Sequence, residues 1–276
     1  MLKTRAFVLC HPQSKDIVKK SAFNSSKVEI TRIACGTTKP KNVDLYESGD
    51  FSPTYASLNS SLFESSVILT IWEHADSLIG QDNVAILHTD IYPHFKPSFT
   101  WNKISETLAA DPNGSVGVAV SNAFEYTYND WLIPESVATQ AMTPKRDPMM
   151  LHDFDANINI WSIIRKYDED IYEYAMDVNP SLIYSHQFAC TRATFDYLGQ
   201  RLLNIVRALR LSDIGFWTPH VLERMIALYL SQRGKPYLTT AFWHYYSSGS
   251  KGPGDLSLYG PRPFKYYNVG SRIMHS

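Results

Sequence analysis

The chain has 276 residues, of which 44% are hydrophobic and 19% charged. That composition supports a sizeable core and excludes a disordered or collagen-like chain. Lys and Arg number 26 against 27 Asp and Glu, a net charge of −1, which argues against a protein that grips nucleic acid by its phosphates. Aromatic residues reach 13%, with 17 Tyr and 6 Trp; they suit either a large core or a cleft that stacks on ring-shaped ligands. Cys10, Cys35 and Cys190 each sit in or beside an apolar run. They predict buried, reduced thiols and a cytoplasmic location. The apolar stretch before His11-Pro12 is too short for a secretory signal, and no apolar run is long enough for a transmembrane segment.

In chain order, AFVLCH at 6–11 predicts a first buried strand, a Lys-rich segment at 14–21 a helix, and VEITRIA at 28–34 a second strand. A loop rich in Gly, Pro, Lys and Asp is expected over 36–53. One long helix is predicted over 55–78, with Leu58, Leu62, Ser65, Leu69, Trp72 and Leu78 near one face and Gly80 as its stop. VAIL at 84–87 predicts a strand, followed by the polar HTDIYP. Then come a helix at 98–111, a strand at 115–121 and an irregular segment at 122–159 carrying Pro134, Pro144 and Pro148. An acidic helix at 167–178, a strand-like run at 182–191 and two helices at 191–210 and 218–233 lead to a last strand in KPYLTTAFWHYY. The tail from Ser247 reads as a surface loop. Alternation of strands and helices predicts an α/β fold with a mainly parallel sheet flanked by helices on both faces. Ligands of such sheets sit beyond the carboxyl ends of the strands. Cys10-His11-Pro12, His88-Thr89-Asp90 and His244 occupy such places.

The chain lacks GxGxxG after a strand, GxxxxGK[ST], GxSxG and HExxH, which argues against Rossmann dehydrogenases, P-loop enzymes, the usual serine hydrolases and zincins. The cysteines, 25 and 155 residues apart, do not have zinc-ligand spacing. What remains is HTDIYP. A short acidic motif leaving a buried strand can present Mg or Mn to a diphosphate; Asp90 can equally cap a turn before Tyr92-Pro93.

ESSVILTIWEH at 64–74, preceded by Asn59, resembles the N-x4-ELTALYWIWKN segment of a bacterial polysaccharide-associated glycosyltransferase family long listed as a domain of unknown function. That family's HYRRYF segment falls where this chain has His88 to Pro93. FVLCHPQ resembles the family's first strand, which ends in THK. QFACTRATFDYLGQRLLNIV and PHVLERMIALYL resemble its NMFI-then-helix and ERLFNIYL segments, so the likeness runs along about the whole chain in order. Asp90 and Ile91 replace the family's paired arginines, which favours a metal site of the DXD type. Arg192, Glu223, Gly234 and His244 also stand in the order of the C-terminal pattern of GT-A glycosyltransferases. Virus-encoded enzymes that decorate capsid glycans are a looser comparison, which would place the protein in the host cytoplasm.

The resemblance implies a single GT-A domain over 1–276, with a nucleotide-binding half at about 1–121 and an acceptor-side half at about 122–276. It implies a nucleotide-sugar donor, a UDP-sugar first, and a saccharide or glycan acceptor. Leu9, Cys10 and His11 would lie under the base and ribose, with Asn59, Thr89 and Arg192 as further donor contacts. Asp90 and His244 would hold Mn2+ or Mg2+. Glu223 would take the acceptor's proton in an inverting transfer. Asp153 and Asp155 form a competing acidic pair for the metal or for catalysis. Glu64 faces the same crevice as Asn59 or else lies on the helix surface; His88 is expected to point into the sheet, and Trp72 to belong to the core. The alternatives are a non-catalytic carbohydrate- or nucleotide-binding protein on the same scaffold, and a glycoside hydrolase using Asp153 or Asp155 with Glu223.

Overall fold

The structure is a computed structural model that describes residues 2–11, 23, 25–38, 42–51, 53–89, 91–93, 95–120, 131–132, 143–146, 159–183, 186–209 and 218–244. Asp90, Asp153 and Asp155 lie outside the described residues, as do Pro12, Gln13 and the tail.

Eight strands form one sheet: β1 (Thr4–Cys10), β2 (Val28–Ala34), β3 (Leu45–Tyr46), β4 (Asn83–His88), β5 (Ile91–Pro93), β6 (Ser115–Val120), β7 (Phe188–Cys190) and β8 (Pro236–His244). Their order is β3-β2-β1-β4-β7-β6-β8-β5. Six strands run one way, and β7 and β5 run against them. This is the mainly parallel α/β sheet expected. β1 and β4 are adjacent and in register, Leu9 opposite His88, so the residues that follow them emerge side by side.

Buried parallel strands read as unbroken apolar runs because both faces are covered. Phe7, Leu9, Val84 and Ile86 point to one core, and Ala6, Val8, Cys10, Ala85 and Leu87 to the other. The first core is closed by α4 (Glu64–Glu73), α7 (Ile160–Tyr167), α8 (Glu169–Val178), α9 (Arg192–Ala208) and α10 (Thr218–Arg233). The second is closed by α6 (Pro97–Ala110), whose Trp101 is fully buried and donates its indole N–H to the Phe23 carbonyl at 2.9 Å. Burying one such side chain stabilises the fold by roughly 2–3 kcal/mol. Gly199 lets α9 approach α4 closely, since a Cβ there would lie 2.2 Å from Trp72.

The long helix expected over 55–78 is instead four pieces: α2 (Pro53–Ala56), α3 (Asn59–Leu62), α4 and α5 (Ala75–Leu78). Phe63, with φ of 48°, separates α3 from α4, and His74 separates α4 from α5. The loop expected over 36–53 contains β3 and α1 (Glu47–Asp50), and only Phe188–Cys190 of the strand expected over 182–191 pairs in the sheet. Side-chain caps start the later helices: Asn159 accepts from Ser162 N–H, Asp168 from Ile171 N–H and Thr191 from Thr194 N–H.

Candidate active site at the carboxyl ends of β1 and β4

Alternation along a strand sends odd residues of β1 and even residues of β4 to the face covered by α4. His11 and His88 therefore leave the sheet on the side where α4 begins. The first residue of α4, Glu64, meets them there. Its Oε1 lies 3.0 Å from His11 Nε2, and its Oε2 lies 3.8 Å from His186 Nδ1. His186 is 5% exposed and comes from the turn before β7.

Burial by itself would raise the Glu64 carboxyl. The His11 hydrogen bond and the charges of His88, His186 and His11 more than reverse that, and hold it well below the usual carboxylate range. Glu64 therefore stays ionised inside a ring of imidazoles. His88, expected to point into the sheet, has its Nε2 buried and lies within electrostatic reach of Glu64.

The start of α10 faces the same place. Burial and the Arg224 charge push His220 down, Glu223 and Glu64 pull it up, and His186 pushes it down again. Glu223 is thus brought into electrostatic reach of the same histidine as Glu64, and it is ion-paired to Arg224, which is almost buried. Thr89, directly after β4, is half-buried at the rim.

A second buried carboxylate lies beside this cluster. Glu47 is fully buried and accepts from Gly36 N–H at 2.6 Å, Thr70 Oγ1 at 3.0 Å and Ser66 Oγ at 3.4 Å. Gly36 has φ of +75°, and a Cβ there would lie 3.1 Å from Asn59 Oδ1. Asn59 in turn donates to the Phe63 carbonyl and to Ser66 Oγ, each at 2.9 Å. One polar network thus runs from the loop after β2, through α4, to the residue preceding Glu64. Burial raises the Glu47 carboxyl, opposed by the Gly36, Thr70 and Ser66 hydrogen bonds and by His11.

The other expected donor contacts are placed as follows. Leu9 is in the core, and the Cys10 thiol is buried with Val8 O as its acceptor at 3.4 Å; either can face a ligand through its backbone only. Arg192 is not brought to the cluster. It binds Asp196, Asp76 and the Gly80 carbonyl, all at the amino end of β4, roughly 16 Å along the strand from His88. The reason is that β7 runs antiparallel to β4, so its carboxyl end returns the chain to the wrong pole. The backbone of His244 pairs with Ile91, which sets the end of β8 against the segment leaving β4. No group of three or more His, Cys, Asp or Glu side chains that could hold a metal occurs among the described residues. The three cysteines are buried and unbridged, and burial pushes the Cys35 and Cys190 thiols up, which makes both poor nucleophiles.

Sequence reasoning placed His11, Asn59, Thr89 and Glu223 in this region, and weighed Glu64 against a surface role. It missed Glu47, His186 and His220. An isolated His in an apolar run, as in YSHQF, was the available signal for His186.

No helix among the described residues is long and apolar enough to cross a membrane. No family model matches the chain, and no curated protein matches it. Among solved structures the chain is similar to the apo structure of the WbbM bifunctional glycosyltransferase, at 12% identity and a TM-score of 0.41, over 89% of this chain and 45% of that one. The chain therefore spans less than half the length of that structure.

Proposed function

We propose that the protein is a glycosyltransferase that moves a sugar from a nucleotide-sugar donor, a UDP-sugar first, to a saccharide acceptor of a surface glycan. The observation that carries this is the convergence of His11, Glu64 and His186, with the start of α10 in electrostatic reach, at the carboxyl ends of two adjacent parallel strands. That is where a sheet of this kind takes a phosphate-bearing ligand. The ordered sequence resemblance to the polysaccharide-associated family supports the same class.

In this proposal Glu223 accepts the proton of the acceptor hydroxyl. The acceptor oxygen forms a bond to C1 from the face opposite the leaving group, the C1–O bond to the diphosphate breaks, and its electron pair leaves with the nucleoside diphosphate. Mn2+ or Mg2+, held at Asp90 with His244, would neutralise charge on that leaving group.

A thermal-shift panel of nucleoside diphosphates, with and without Mn2+, tests the reading. One nucleotide, UDP first, should raise the melting temperature, and only with metal. A glycoside hydrolase would ignore every nucleotide, and a non-catalytic binder would respond without transferring sugar.

A further inference from the structure

We propose that Phe63 is held at the rim of the site as a stacking platform for the base of the donor nucleotide. This rests on the nucleotide-sugar reading above and adds to it the side chain that receives the base.

The large hydrophobic residues that stand exposed among the described residues are Leu2, Phe63, Phe99, Leu132 and Val178, and of these only Phe63 has a positive φ. Its backbone, at φ 48° and ψ −128°, lies outside even the small left-handed well that some residues with a Cβ enter. A bulky residue there is an outlier, whereas glycine has no Cβ to clash. Hydrogen bonds enforce the conformation. The Phe63 N–H donates to the Asn59 carbonyl at 2.8 Å, and the Phe63 carbonyl accepts from Asn59 Nδ2 at 2.9 Å, Ser66 Oγ at 2.9 Å and Ser66 N–H at 3.1 Å. Core packing does not account for a phenylalanine in this place, because the residue is 44% exposed.

Its neighbours account for it better. Phe63 immediately precedes Glu64, whose Oε1 lies 3.0 Å from His11 Nε2, and His11 is the first residue beyond β1. An accessible aromatic ring is thereby fixed near the carboxyl end of β1, where a sheet of this kind takes its ligand. Backbone strain of this kind persists where the surrounding structure enforces it, and it clusters at ligand sites. A phenyl ring carries no charge and no hydrogen-bond donor, so it suits the flat face of a base and not the phosphates.

The test compares wild type, Phe63→Gly, Phe63→Ala and Phe63→Tyr as full chains. Calorimetric titrations in Mn2+ buffer use UDP, CDP, ADP and GDP, with inorganic pyrophosphate as the control. Stacking tolerates any base, so the nucleotide that wild type binds most tightly serves as the probe. Phe63→Gly and Phe63→Ala should bind it at least about tenfold more weakly, and Phe63→Tyr within about threefold of wild type. All four proteins should bind pyrophosphate alike. Phe63→Gly should also melt about 2–4 °C above Phe63→Ala, since both lose the ring and only glycine relieves the backbone. Should Phe63→Ala fail to fold, the Phe63→Gly titrations decide. Unchanged nucleotide affinity in Phe63→Gly would overturn the platform and leave the nucleotide-sugar reading standing. A wild type that binds none of the nucleotides would overturn both. An equal loss of pyrophosphate binding, or Phe63→Gly melting below Phe63→Ala, would make Phe63 a packing residue and overturn the platform alone.

Discussion

Glu47 and Glu64 lie on the same side of one sheet, are linked through Ser66, Asn59 and Phe63, and are both withdrawn from solvent. They differ in what faces them. Glu47 is hydrogen-bonded by one backbone N–H and two hydroxyls, with His11 acting on it least, and burial raises its carboxyl. Glu64 meets imidazoles, which overcome burial and lower its carboxyl. Neutral donors satisfy a carboxylate's hydrogen-bonding needs without balancing its charge, so Glu47 serves as a fixed point that ties the β2 loop to α4. The imidazoles facing Glu64 lower its carboxyl, so it remains an anion that can orient groups with chemistry to perform. The same residue type is scaffold in one place and site in the other, and its partners decide which.

The largest effect that would sharpen this contrast is on stability at Glu47. Glu47→Ala leaves the Gly36 N–H and the Thr70 hydroxyl without their buried acceptor and should cost about 3 kcal/mol. By the usual conversion that is a fall in melting temperature of roughly 6–12 °C. A melting temperature equal to wild type would show that Glu47 is not a structural anchor. Next comes Glu223, the third carboxylate in the region. Glu223→Gln keeps its shape but cannot take a proton, so turnover should fall at least about a hundredfold at unchanged donor affinity. Near-normal turnover in steady-state assays would move the base elsewhere, with Asp153 and Asp155 next in line. A smaller effect is expected at the opposite pole. Arg192→Ala loses contacts to Asp196, Asp76 and Gly80; with Asp76 fully in solvent, the cost should be about 1 kcal/mol. Titration with UDP should show wild-type affinity, and its loss in a folded variant would break the placement of the site.

The smallest effect is the most specific to the contrast, because the two glutamates predict opposite pH slopes. The folded-state pKa of Glu47 is raised, so its contribution to stability is full below the usual 4.5 and is lost as pH rises through the folded value. That of Glu64 is lowered, so its contribution is present above 4.5 and is lost as pH falls through the folded value. Denaturant melts across pH should show wild type gaining on Glu47→Gln as pH falls, and losing its advantage over Glu64→Gln as pH falls below about 4.5. Parallel curves would mean that the two carboxylates do not differ in this way.

Much of the scaffold was legible because buried strands announce themselves. AFVLC and VAIL are unbroken apolar runs, and His11, the first polar residue after such a run, had to fall at the sheet's edge. Glu223, early in a helix and off its apolar side, was legible for the same kind of reason. The break at Phe63 was not, because a phenylalanine carries no local signal for positive φ; the Asn59 and Ser66 side chains that donate to its carbonyl are what hold the backbone there. Glu47 sits in YESGD, which reads as an exposed polar turn, and its burial depends on Gly36 and on two α4 hydroxyls distant in sequence. Arg192 misled because order along the chain does not reveal that β7 runs antiparallel, which carries the residue to the far end of the sheet.

The central claim is that the ligand site lies at the carboxyl ends of β1 and β4. A crystal of the protein soaked with UDP and Mn2+ tests it most directly. The account predicts diphosphate density beside His11 and Thr89, with the metal at Asp90. Nucleotide bound at the amino end of β4 beside Arg192, or no nucleotide at saturating concentration, would contradict it.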